Sequence, residues 1–104
     1  MTKKIKIWVD DIRPMPADYT HHAHSVDAAI MMIDTAEEIG DIIELIYLDH
    51  DAGDYAKYGG DFINILDCLA AAGRSYPIKI HTANPVGRAN MERIMMRNGW
   101  RYIK

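Results

Sequence analysis

Cysteine is nearly absent, positive charge is not in excess, and no hydrophobic run is long. One cysteine, Cys68, among 104 residues excludes an intramolecular disulfide and fits a reducing, cytoplasmic compartment. Its placement on a predicted helix suggests packing rather than reactivity. A formal net charge of -3 argues against a surface that grips a long nucleic-acid tract, though not against contact with one phosphorylated end. No apolar stretch approaches the ~20 residues that span a bilayer, and residues 1–4 lead straight into a short strand rather than a signal-peptide core. Repeats, linkers and low-complexity tracts are also missing. With 49% hydrophobic and 26% charged residues, the expectation is one globular domain over residues 1–104.

The dominant feature is Leu45-Ile-Tyr-Leu-Asp-His-Asp-Ala-Gly53, an apolar run that stops abruptly in titratable residues. Such a run reads as a strand buried on both faces. Ile5, Ile7 and Val9 form an earlier strand that ends at Asp10 and Asp11. Pro14 and Pro16 exclude a helix directly after it, so an ordered loop extends to Tyr19. A weakly signalled strand around His22 to His24 precedes a helix that Ser25 caps and Gly40 ends, with Ala29, Ile30, Ile33 and Ile39 as its buried stripe. Phe62, Ile65, Leu66 and Leu69 mark a second helix closed by Gly73. Residues 78–82 alternate as a strand, and Asn84-Pro85 opens a third helix whose inner face carries Met91, Ile94 and Met95. Residues 100–103 make a closing strand.

Strands alternating with helices predict an α/β fold: a flavodoxin-like or receiver-like, doubly wound, mostly parallel five-stranded sheet with helices on both faces and the first crossover helix missing or reduced. The strands ending at Asp11, His50 and Thr82 then lie side by side, and their carboxyl ends form the ligand crevice. Asp10, Asp11 and Asp49 would meet there. A divalent ion such as Mg or Mn would relieve their repulsion, and Arg13 is the other candidate, the plainer alternative being turn caps that bind Arg13. No organic cofactor is implied. His50 and His81 leave neighbouring strands and could share proton transfers as base and acid. Thr82, Asn84 and Arg88, at the start of the third helix, resemble a phosphate seat, although capping alone explains Asn84. Asp51, Tyr55 and Tyr58 belong to the adjoining loop, where the tyrosines either stack on a base or anchor the loop. His21, His22 and His24 read as a polar edge rather than a metal site.

Val9-Asp-Asp-Ile-Arg-Pro14, Leu48-Asp-His-Asp-Ala-Gly53 and Ile80-His-Thr-Ala-Asn-Pro85, with Arg88 and Met91, resemble the cyclic-phosphate processing receiver domain family. The resemblance runs from Lys6 to Met95. It implies a receiver-like fold and action on cyclic phosphates, including RNA ends carrying a 2′,3′-cyclic phosphate, through Asp10, Asp11, Arg13, Asp49, His50, Asp51, His81, Asn84 and Arg88. Thr82 stands where serine is common and Ala52 where leucine is common. The lysine-proline pair of phosphoacceptor receivers is absent, Lys104 being the nearest substitute.

The leading expectation is a small phosphoesterase acting on a cyclic-phosphate-bearing nucleotide or RNA end, with no long nucleic-acid tract and no membrane as partner. The alternatives are a receiver-type signalling module phosphorylated on Asp49, and a module that sequesters a cyclic nucleotide without turnover.

Overall fold

The computed structural model describes residues 3–51 and 53–103, apart from the side chains of Asp54, Tyr55, Tyr102 and Ile103. Ala52 and Lys104, and the expectations attached to them, lie outside the described residues, as does the Tyr55 side chain. In chain order the elements are β1 (Lys4–Val9), β2 (His21–Ala23), α1 (Val26–Ile39), β3 (Ile42–Leu48), a 3₁₀ turn (Gly53–Lys57), α2 (Ile63–Ala71), β4 (Ile78–Ile80), α3 (Pro85–Asn98) and β5 (Tyr102–Ile103). The strands pair in parallel in the order β2-β1-β3-β4-β5, the receiver-like arrangement. Residues 10–20 connect β1 to β2 without a helix, as Pro14 and Pro16 require.

Local chemistry explains the helix boundaries. The Ser25 side chain accepts from the Ala28 N–H at 3.1 Å and so starts α1. Gly40, at φ 82°, takes the left-handed turn that ends it. Asn84 accepts from the Gly87 N–H at 3.0 Å, and Pro85 occupies the first turn of α3, where its missing N–H costs nothing.

The central strands alternate, and that alternation decides the layering. Ile7, Val9, Ile46, Leu48, Ile78 and Ile80 join one core cluster with residues from all three helices, among them Ile33, Leu66 and Met91. Their strand neighbours Trp8 and Tyr47 are buried on the opposite face and stand outside that cluster. The expectation of helices on both faces is therefore corrected: among the described residues all three helices pack on one face. On the other, Trp8 and Tyr47 stack with centroids 3.7 Å apart, and Tyr19 meets both edge-on.

Smaller differences have local causes. β4 stops at Ile80, short of Thr82, because Thr82 and Asn84 already form the turn into α3. β2 covers His21–Ala23, and the closing strand shortens to Tyr102–Ile103. Ile39, expected in the buried stripe, is 65% exposed in the last turn of α1. Cys68 is likewise exposed on α2, so packing is not its role. No helix is long and apolar enough to cross a membrane among the described residues.

Candidate functional site at the carboxyl ends of the strands

β1, β3 and β4 are adjacent, so their carboxyl ends bring three distant segments together. Asp10 is fully buried yet completely engaged. One carboxylate oxygen accepts from the Ile12 and Arg13 N–H groups, both at 2.9 Å, and the other meets the Arg13 guanidinium at 3.2 Å. The same guanidinium lies 3.6 Å from Asp49. Trp8 holds the Arg13 loop by donating its indole N–H to the Arg13 carbonyl at 3.2 Å. This is the satisfaction that a buried charge demands.

Asp49 accepts from its neighbour's N–H, that of His50, at 2.7 Å, and the Thr82 side chain lies close to it. Burial pushes its carboxyl above the ordinary value. The His50 N–H opposes that shift, Asp10 adds to it, and Arg13 and Thr82 reduce it. Asp10, Asp11 and Asp49 each present an oxygen within 4.8 Å of the others. Asp11 is backed by Gly53, at φ 56°, where a Cβ would collide with the carboxylate.

The two imidazoles occupy different surroundings. His50 Nδ1 lies 2.8 Å from Asp51, so an ionised Asp51 fixes the proton on Nδ1 and leaves Nε2 as the basic nitrogen. Its ring presses on the first turn of α3: a Cβ at Gly87 would come within 2.6 Å of it. His81 is exposed and tilts over Tyr47, with centroids 5.5 Å apart. Strand alternation thus sends His50 to the helical side and His81 to the aromatic side. They flank the strand ends from the two sides rather than sharing one pocket.

At the start of α3, Thr82 accepts from the Asn84 N–H at 3.1 Å. Arg88 donates to the Ile80 carbonyl at 3.2 Å, tying the helix to β4. Tyr58 is 47% exposed, and its carbonyl accepts from the Asp27 N–H at 3.0 Å, so the loop is anchored on the start of α1. His22 and His24 stack at 4.0 Å, and His22 Nε2 reaches the Asp10 carbonyl at 3.1 Å. These bonds keep the histidines at the sheet edge while linking them to the site.

Sequence reasoning missed two residues that border these groups. Gly87 has no signal beyond its place in the first turn of α3, since its importance lies in a ring 37 positions earlier. Tyr47 is only 3% exposed, and its hydroxyl finds no hydrogen-bond partner among the described residues. Burial pushes its phenol up to about 12, with Arg13 pulling the other way. A groove of about 210 Å³ between α1 and the sheet, lined in part by Ile5, Met31 and Asp41, lies at the opposite, amino ends of the strands.

Comparison with known proteins gives one family: the model of the cyclic-phosphate processing receiver domain matches residues 5–97. No curated protein matches the chain. No solved structure matches it either.

Proposed function

The chain belongs to the cyclic-phosphate processing receiver domain family, and from that premise we propose that it opens a cyclic phosphodiester on a nucleotide or RNA end by hydrolysis. The observation that carries the reading is the Asp51–His50 pair, at 2.8 Å, held against the first turn of α3. Nδ1 is committed to Asp51, so Nε2 accepts a proton from the attacking water. The water oxygen bonds to phosphorus as the ring P–O bond breaks, and the departing ribose oxygen takes a proton from His81. For both imidazoles to serve one phosphorus, the phosphate has to sit over the carboxyl edge of the sheet, between its two faces. Arg13 and the start of α3, with Thr82, Asn84 and Arg88, stabilise charge on the non-bridging oxygens.

The three carboxylates form an all-oxygen donor set that fits a hard ion such as Mg or Mn. Arg13 fills the same electrostatic role among them. Asp10, Asp11 and Asp49 would hold the ion, which would lower the pKa of a bound water. The hydrolysis described above does not depend on it.

A second reading has one observation in its favour, the nearness of Thr82 to Asp49, which would let a phosphorylated Asp49 be sensed by Thr82. One experiment separates the two. Incubation with 2′,3′-cyclic mononucleotides and cyclic-phosphate-ended RNA, with and without Mg or Mn, should give a phosphomonoester. His50→Ala should lose about 10²- to 10⁴-fold in rate, the range for a positioned base. Stable labelling of Asp49 by a small phosphodonor, with no ring opening, would favour the signalling module. Binding without product would favour sequestration.

A further inference from the structure

Tyr47 lies at the junction of the carboxylates, Arg13 and His81, yet neither packing nor the hydrolysis described above uses its oxygen. The ring is explained by the stack on Trp8, which phenylalanine would also make. The hydroxyl is fully enclosed and unpartnered among the described residues. A buried polar atom in this condition calls for an occupant. Its charged neighbours are Arg13, Asp10 and Asp49. Arg13, whose side chain approaches the phenol oxygen, could only donate to it and has no lone pair to accept the phenol proton. Asp10 already receives two N–H groups and the guanidinium, and Asp49 receives the His50 N–H on one oxygen and faces the guanidinium with the other. The acceptor is therefore missing from the protein itself.

We infer that the Tyr47 hydroxyl is a ligand-contacting donor, which bonds a non-bridging oxygen of the bound phosphate together with Arg13. The Arg13 side chain, 43% exposed against 1% for Asp10 and 14% for Asp49, is the movable cover. An arriving anion draws the guanidinium from the carboxylates and opens the way to the phenol. This rests on the reading of the strand ends as a phosphate-handling site, and it extends that reading to a residue on the aromatic face.

The test compares the protein with Tyr47→Phe, using inorganic phosphate and 2′,3′-cyclic AMP as probes in titration calorimetry, with the thermal midpoint read in parallel. The inference expects affinity for both probes to fall about tenfold, as for one hydrogen bond to a charged group, while the ligand-free midpoint holds or rises. Unchanged affinity, or a lowered midpoint with unchanged affinity, overturns it and leaves the hydrolytic reading intact. If Tyr47→Phe folds poorly, 3-fluorotyrosine placed at position 47 supplies a stronger donor and should tighten binding, and no tightening counts against the inference. Wild-type protein that binds cyclic AMP without opening it defeats hydrolysis alone. Wild-type protein that binds neither probe defeats both.

Discussion

Asp49 shows how one residue couples stability to the site. Its carboxyl titrates above the ordinary value, chiefly because of burial, so ionisation is less favourable in the fold than in the unfolded chain. Its contribution to stability is fully present below the unfolded-state value and is lost as pH rises through the folded one. Asp49→Asn keeps an acceptor for the His50 N–H while removing that penalty. It should raise the denaturation midpoint at pH 7, with the gain shrinking as the pH falls towards the ordinary carboxylate range. A midpoint lowered at pH 7 would mean that the attraction of Arg13 outweighs burial. The same substitution should abolish labelling by a phosphodonor, which separates the stability role from the signalling reading.

At the level of elements, two helix starts that look alike in sequence have different duties. Ser25→Ala removes the cap of α1 and should cost about 1 kcal/mol in chemical denaturation, with ring-opening activity unchanged. Gly87→Ala sits in the first turn of α3 and gains helix propensity, up to about 1 kcal/mol. Its new methyl would meet the His50 ring at 2.6 Å. Stability should therefore change little while activity falls about 10²-fold, the scale of a displaced catalytic group. Equal losses in both variants would show that the His50 contact carries no catalytic weight. Both caps were legible because Ser25 and Asn84-Pro85 act on N–H groups within three residues. The contact of Gly87 with His50 was not legible, since nothing local marks a glycine that a distant ring requires.

For the whole molecule, the order of the strands was legible from alternation, and the adjacency of the strands ending near Asp11, His50 and Thr82 followed from it. What covers each face was not. Trp8 and Tyr47 read as ordinary strand residues, and an apolar strand does not say whether a helix or an aromatic stack lies over it. Hence the second helical layer was expected where Tyr19 and the 10–20 loop stand. The His50 and His81 sites were legible by type and strand, whereas their separation by the sheet depended on that layering. Because the proposed ligand contacts draw on three strand ends and α3, binding should stabilise the domain as one unit. The free energy of unfolding should rise with cyclic nucleotide as RT ln(1 + [L]/Kd), about 2.7 kcal/mol at 100 times Kd. A midpoint insensitive to ligand would mean that these ends do not bind it.

The outermost strands, β2 and β5, span only three and two residues. Such stubs offer a foreign chain very little ladder to copy, which is one of the ways proteins guard against fibril-like growth. The longest and most apolar strands, β1 and β3, are shielded between neighbours. A small domain can in this way keep a sticky centre and still remain dispersed when crowded.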